Sequence, residues 1–379
     1  MKNYKKCTGC GICEKKCPKN AIRLVEDKNG FIYPKINKSA CVKCGICDRI
    51  CESVTERHDA GKFGVYAFQS NDELIQFYAT SGGFIQSLSK IFLNKRGVVY
   101  GVSYAPNKNN GVWERIVTTD DLAKIAGSKY FQIPLSYELF SQIDNDLVDK
   151  EVLFIGTPCQ VGAIRRLFKD CCNLTTVDII CGGVASFNLE KEYVQYIEKK
   201  NGSKIIERKF RSKKNGWGED YLSIAVFENA DEQVDLGGIN LFTRGYISGK
   251  FMRESCYECD YVGRSREGDF TVGDCWGISN YDIQAIEVKK GVSLVLVNTE
   301  KAMRTINAIS NGNLLLDIDK SIMLNNKPLN YKTKRPFLRN MSYDIIRFFP
   351  FKMGLNIVCY RYIIKKMYRQ IKRSIINGK

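Results

Sequence analysis

The sequence predicts an α+β protein in unequal parts: a small cysteine-rich module, a larger mixed α/β domain and a basic helical tail. Three observations predict it. Two runs of four closely spaced cysteines fill residues 7–51. From Phe63 onward, short apolar runs ending in glycine alternate with stretches of helical periodicity, the signature of strands and helices in layers. Beyond Gly354, apolar residues recur at three- and four-residue steps among lysines and arginines. The boundaries that follow are 1–60, 61–335 and 336–379.

The first part rests on Cys7, Cys10, Cys13 and Cys17, closed by Pro18, and on Cys41, Cys44, Cys47 and Cys51 with the same spacing. This is the bacterial pattern for two [4Fe–4S] clusters. Soft thiolates hold iron well, and one tight loop supplies three ligands. The fourth cysteine of each run crosses to the other cluster. Cys7, Cys10, Cys13 and Cys51 are therefore expected on one cluster, and Cys41, Cys44, Cys47 and Cys17 on the other. Zinc knuckles use Cys-x-x-Cys pairs rather than three close cysteines plus a fourth. The segment resembles a bacterial-type ferredoxin domain, departing from it where Glu52 follows Cys51 in place of a proline. Ala21–Leu24 and Phe31–Pro34 read as short strands around a Lys28-Asn29-Gly30 turn. So small a module builds little core, and the clusters replace one.

Composition narrows the rest. A chain of 379 residues, 44% hydrophobic, is neither one small domain nor a disordered appendage. Sixteen cysteines in so long a chain, half of them already assigned, do not read as a disulfide scaffold. The N-terminus shows no apolar leader, and no run is long enough to span a bilayer, so reducing cytoplasm is the expected compartment. The formal charge of +17 points to an acidic redox partner or an anionic membrane surface. Nucleic acid is not expected, because no zinc-finger or helix-turn-helix pattern accompanies the charge. The one histidine, His58, falls at the module's edge and reads as incidental.

In the second part, Phe63–Gln69 opens as a strand. Ala79-Thr80-Ser81-Gly82-Gly83 then feeds an amphipathic helix with Phe84, Leu88, Ile91 and Phe92 on one face. Amides at such a start cap the helix or hold a phosphate. Gly97–Val102 and Trp113–Thr118 are strands, and Asp120–Ala126 is a short helix. Gly127-Ser128-Lys129-Tyr130 makes a second candidate anion loop, and Leu135–Leu147 is helical. Glu151–Ile155 is a strand that opens through Gly156-Thr157-Pro158-Cys159-Gln160 into another helix. Val177–Ile180 ends at Cys181-Gly182-Gly183, before a helix at 189–200. If these two strands are parallel, Cys159 and Cys181 reach one sheet edge, where open α/β sheets place ligands. Ile205–Arg211 and Tyr221–Phe227 read as antiparallel strands. The basic loop between them, with Lys213, Lys214 and Trp217, reads as a docking surface, a lid or a solvated turn.

Cys256-x-x-Cys259 is ambiguous alone: a redox disulfide, half a zinc site or half a cluster. Cys159 and Cys181 are candidates to complete it, with Cys275 as competitor; Cys171, Cys172 and Cys359 read as packing or surface thiols. Six segments together resemble the coenzyme F420 hydrogenase/dehydrogenase beta-subunit family. They are Ser81-Gly82-Gly83, Gly127–Tyr130, Gly156–Gln160, Cys181-Gly182-Gly183, Cys256-x-x-Cys259 and Gly273-Asp274-Cys275-Trp276-Gly277, and the resemblance runs from Cys7 to about Leu296. It implies FAD at the glycine-rich loops, on Ser81, Gly82, Gly83, Gly127, Ser128, Lys129, Gly156, Thr157 and Gly182. It also implies a third [4Fe–4S] cluster on Cys159, Cys181, Cys256 and Cys259. The sequence departs from the family at Cys275, a position that is commonly aromatic there. Gln160 and Asp274 are candidates for orienting water or flavin edges. Arg264, Arg266, Arg244 and Lys250 are candidates for contacts to an anionic cofactor or substrate.

The expected function is an oxidoreductase that relays electrons between an organic hydride donor or acceptor at FAD and a redox partner protein or soluble ferredoxin. Resemblance to bacterial members encoded beside surface-polysaccharide enzymes implies that setting. The rival class is a non-enzymatic iron–sulfur carrier or an electron-transfer subunit. The tail is expected to form a helix with Ile357, Tyr360, Ile364, Met367 or Tyr368, Ile371 and Ile375 in one stripe. Arg361, Lys365, Lys366, Arg369, Lys372 and Arg373 fill its other faces, suiting either a docked helix or peripheral contact with the anionic inner face of a membrane.

Overall fold

The computed structural model describes residues 4–52, 57–106, 110–169, 171–218, 221–281 and 283–360. Its fold is mixed α/β. The strands of the module are β1 (Ile22–Glu26) and β2 (Ile32–Ile36), an antiparallel hairpin with Ile22 opposite Ile36. Asp27 shapes the turn, its Oδ1 accepting from the amides of Asn29 at 2.8 Å and Phe31 at 2.9 Å. The linker strand β3 (His58–Asp59) comes next. Then follow β4 (Gly64–Ser70), β5 (Val98–Ala105), β6 (Asn110–Ile116), β7 (Val152–Gly156), β8 (Leu174–Ile179), β9 (Ile205–Ser212), β10 (Leu222–Phe227) and β11 (Glu232–Leu236). The last four are β12 (Ser265–Arg266), β13 (Phe270–Asp274), β14 (Ser293–Val297) and β15 (Asn313–Asp317).

An eight-stranded sheet in the order β15-β4-β14-β13-β8-β7-β5-β6 forms the frame. Its centre, β13-β8-β7-β5, is parallel. The flanking strands are antiparallel. Strands covered on both faces must be apolar throughout, and Ser293-Leu294-Val295-Leu296-Val297 is buried at every position. Alternate side chains serve opposite layers. Val99, Leu153 and Val177 meet the helices Phe84–Asn94 and Glu300–Ser310. Val98, Val152 and Phe154 meet Tyr137–Asp146 and Pro158–Leu167. β9, β10 and β11 form a separate small sheet.

The module is not a bead on a string. β3 pairs antiparallel with β12. Phe31 and Tyr33 of its hairpin share one core cluster with Tyr193, Phe210 and Phe242 of the large part and with Tyr343, Ile346, Phe351, Leu355 and Val358. The first half of the tail therefore closes the core, through the helix Arg339–Phe348 and a helical stretch at 351–360. In that stretch Leu355, Val358 and Cys359 face inward, while Met353, Ile357 and Tyr360 face out. The expected stripe begins on the outward side, and its remainder from Arg361 lies outside the described residues. Among the described residues, no helix is long and apolar enough to cross a membrane.

Candidate functional site

The parallel strands β7, β8 and β13 end at Gly156, Ile179 and Asp274, on the same sheet edge. β7 turns straight into its helix because Pro158 occupies the first helical position, where the missing N–H has no bond to lose. That turn carries Cys159, and the loop after β8 carries Cys181. The short helix Glu254–Tyr257 brings Cys256, with Cys259 just past it. All four line one cavity of ≈ 420 Å³, together with residues 79–81, the 127–130 loop and Cys10 of the module. Burial pushes the Cys159 thiol up to about 12, and the nearby Cys259, Cys181 and Cys10 sulfurs push the same way. Burial likewise raises Cys181 and Cys256 to about 12. Thiols so placed keep their protons until a metal displaces them.

The module's eight cysteines separate into two groups. Burial raises Cys51, and the neighbouring Cys10 and Cys7 sulfurs add to it, so Cys51 sits with the first run. Cys17 lines a second cavity of ≈ 240 Å³ with Cys41, Cys44 and Cys47. This is the crossed grouping expected from the spacing. Among the described residues, no three His, Cys, Asp or Glu side chains close on one point as a single-ion site requires. A cubane holds its thiolates farther apart than one ion does.

Residues 149–319 match the family model for the C-terminal part of the beta subunit of coenzyme F420 hydrogenase/dehydrogenase, and residues 6–54 match the 4Fe-4S dicluster domain. Residues 149–319 thus carry the C-terminal domain of that beta subunit. None of the curated proteins matches the chain. Among solved structures it is similar to a chain of the F420-reducing [NiFe] hydrogenase complex from Methanosarcina barkeri, with 15% identity over 79% of this chain and 96% of that one, at a TM-score of 0.49. The two matches make the chain an iron–sulfur electron-transfer protein related to that beta subunit.

Within the beta-subunit domain, several candidate residues turn out to hold the frame. Gly82 is obligatory: a Cβ there would lie 2.0 Å from the Phe68 carbonyl oxygen. Its amide donates to Ser293 Oγ at 2.9 Å, and Ser81 Oγ donates to the Val292 carbonyl at 2.8 Å. These groups tie the loop to β14, and Ser81 also lines the cavity. Gly83, in the left-handed region at φ 88°, starts the helix Phe84–Asn94 and lines the cavity. Thr80 Oγ1 and Ser128 Oγ lie 3.2 Å apart and join the two candidate anion loops. Gly127, at φ 80°, has open space where a side chain would stand. The Lys129 amine is buried and donates to the carbonyls of Ile125 at 3.0 Å and Ala126 at 2.7 Å. Burial lowers it to about 7.

Gln160 and Asp274 line the cavity but are already engaged. Gln160 Oε1 accepts from the Thr157 amide at 3.0 Å and hydroxyl at 2.9 Å, and its Nε2 donates to the Ile133 carbonyl at 2.8 Å. It closes a capping box at the start of the helix that carries Cys159. Asp274 accepts from Arg211 at 2.6 Å and Trp217 Nε1 at 3.0 Å. Gly156, Thr157 and Gly182 line the cavity as expected.

Arg264 and Arg266 do not line the cavity. Arg264 is exposed. Arg266 is buried against Asp178 at 2.5 Å, whose other oxygen accepts from the amides of Glu267 and Gly268. Arg244 and Lys250 hold the C-terminal stretch, at Asn356 Oδ1 and the Val358 carbonyl. Cys275 packs with Ala67, Ile278 and Val292, away from the cavity.

The residue that sequence reasoning missed is Arg253. It is buried, lines the cavity, and donates to the Cys7 carbonyl at 2.7 Å, Gln132 Oε1 at 2.7 Å and the Ile32 carbonyl at 2.8 Å. It lies over the Tyr33 ring at 4.1 Å. Its one sequence signal was an arginine three places before a Cys-x-x-Cys.

Proposed function

We propose that this protein is a flavin-dependent iron–sulfur oxidoreductase that exchanges electrons between an organic hydride donor or acceptor and a one-electron partner. One observation carries the reading: four cysteines from three segments, two glycine loops and Cys10 of the module share a cavity at the C-terminal edge of parallel strands. Bound FAD supplies the exchange between hydride pairs and single electrons.

The residues present suit these groups. Cys159, Cys181, Cys256 and Cys259 are an all-thiol donor set, as iron–sulfur clusters use, and would hold a third cubane. Gly83, Thr80 and Ser128 offer neutral donors, and the buried Lys129 amine lacks a carboxylate partner among the described residues. A flavin phosphate would supply the missing negative charge. Arg211, pinned by Asp274, puts a second cation on the wall. Cys10 lines the cavity and groups with Cys7, Cys13 and Cys51, so the module's inner cluster would be the next station. The set containing Cys17 and Cys41 is the last. The family resemblance carries the further proposal of a role in surface-polysaccharide biosynthesis, in the cytoplasm with peripheral membrane contact through the tail.

The test is anaerobic purification followed by iron, sulfide and flavin analysis. Fully loaded protein is expected to hold about twelve irons, four per cubane, and one flavin per chain. A stable plateau near eight irons (about four per cubane for two) removes the third cluster. Twelve irons without any reducible flavin favour the rival class, an iron–sulfur carrier or electron-transfer subunit.

A further inference from the structure

The two cysteine groups of the module differ in what surrounds them, and the outer one has the anatomy of a docking site. Its cavity is walled by Ile22, Ile36 and Pro18, with Lys19 and Lys43 on the lining and Asp48 as the one acidic side chain. Val42 and Cys44 beside it are exposed. Lys16 and Lys38, also exposed, flank Cys17 and Cys41 in the chain. Among the described residues, none of Lys16, Lys19, Lys38 and Lys43 is paired with a carboxylate. A small apolar centre in a polar rim is how transient protein interfaces are built. Unpaired cations on that rim leave the field they generate unspent.

We infer that this face is the docking surface for a small acidic one-electron carrier protein, seated over the Cys17, Cys41, Cys44 and Cys47 group. The inference rests on the reading above for the order of the relay, and adds where it ends and what meets it there. The lysine ring attracts the carrier and orients it, while Val42 and Pro18 give the contact its dry centre. One electron crosses between the outer cluster and the carrier, one being oxidised as the other is reduced; no bond or proton moves. A protein fits better than a membrane because Lys19 and Lys43 share one small cavity with Pro18, Val42 and the exposed Cys44. A bilayer needs no such centre.

The test uses the full-length holoprotein and a plant-type [2Fe–2S] ferredoxin of net negative charge as probe. Binding is measured by calorimetry, and electron transfer by stopped flow, from 20 to about 300 mM salt, a range chosen to shrink the screening length. Both are expected to weaken steeply with salt. The triple variant Lys19→Glu, Lys38→Glu, Lys43→Glu is expected to lose about tenfold or more in association rate at low salt and most of its salt dependence. Its iron content and its bleaching by dithionite should equal the parent's, which shows that the fold and clusters persist. If the triple variant loses iron, the salt dependence of the parent decides alone, and a flat profile overturns the inference. Equal rates in parent and variant overturn it too. So does loss of binding to phosphatidylglycerol vesicles with ferredoxin affinity unchanged, which would assign the ring to a membrane. Absence of flavin or of the third cluster strikes the proposed function and leaves these outcomes readable, because the module's own clusters are reduced directly.

Discussion

The two cysteine runs of the module have one spacing and two surroundings. Cys13 of the first run is buried and raised to about 12 by that burial, and Cys10 faces the inner cavity. Cys44 of the second is exposed beside Lys43. Positive charge follows the same division. Inside, Arg253 is spent on three hydrogen bonds, two of which lock the module to the large domain. Outside, the lysines hold nothing. Ligand spacing encodes that a cluster forms, whereas docking against the large domain encodes which cluster faces inward. Two near-identical motifs thereby acquire an order along a path.

The sharpest way to break this comparison is to remove one charge from each side. Arg253→Leu leaves the Cys7 and Ile32 carbonyls and the Gln132 amide oxygen without their donor. Three charge-assisted bonds disappear in a buried place, a loss of about 3 kcal/mol or more. Lys43→Ala touches no partner and is expected to stay within about 0.5 kcal/mol. The measurement is the urea midpoint of cluster bleaching under anaerobic conditions. Equal midpoints for the two variants would abolish the distinction between a locking and a free cation.

Much of this was legible in the chain. Short apolar runs located β4, β5, β7 and the end of β8, because burial in the sheet favours apolar side chains. The parallel pairing of β7 and β8 put Cys159 and Cys181 on one edge, as strand–helix alternation requires. What stayed hidden was partly local and partly a matter of contacts between distant segments. Gln160 was read as facing a ligand, but a capping box uses the same residue at the same spacing. Arg266 carries the charge of a substrate contact, and only the fold brings Asp178 to it across 88 residues. Cys275 looked like a ligand until β13 turned it into the apolar layer beneath β4 and β14. Helix Glu300–Ser310 and β11 escaped because their solvent-facing halves are polar.

Lys129 sharpens the comparison from the inner side. Its amine sits near 7 because burial disfavours the charged form. Unfolded, a lysine titrates near about 10.4. Between those values the unfolded chain holds a proton that the folded chain lacks, so this residue makes stability rise as pH climbs from about 7 toward 10. Binding of an anion runs the other way. A flavin phosphate favours the protonated amine, so FAD affinity is expected to fall roughly five- to tenfold as pH rises through about 7, the difference between a charged and a neutral hydrogen bond. Lys129→Met should bind more weakly at pH 6 and show a flat profile. Fluorescence titration of flavin-stripped protein checks it. A parent profile that is level from pH 6 to 9, values set on either side of that titration, rules out Lys129 as an anion partner.

The tail carries the smallest expected effect on the fold, provided the cut is placed by structure. Deleting from residue 352 removes Leu355, Val358 and Cys359 from the core cluster they share with Phe31 and Tyr193, and destabilises the whole chain. Deleting 361–379 spares every one of those contacts, so stability should change by no more than about 0.5 kcal/mol. It does remove Arg361, Lys365, Lys366, Arg369, Lys372, Arg373 and Lys379, with no acidic residue among the segment's nineteen. Exposed Met353, Ile357 and Tyr360 remain as the start of an apolar stripe that has lost its cations. If the tail is an outer contact like the lysine ring, the intact protein should sediment with phosphatidylglycerol vesicles at low salt. The shortened protein should bind them about threefold to tenfold more weakly, since each basic residue near an anionic surface adds up to about 1 kcal/mol before screening. Neutral phosphatidylcholine vesicles should take up neither form. Equal cosedimentation of the two forms with anionic vesicles would leave the ferredoxin face as the only basic surface with a partner, and the tail as a helix whose work ends at Tyr360.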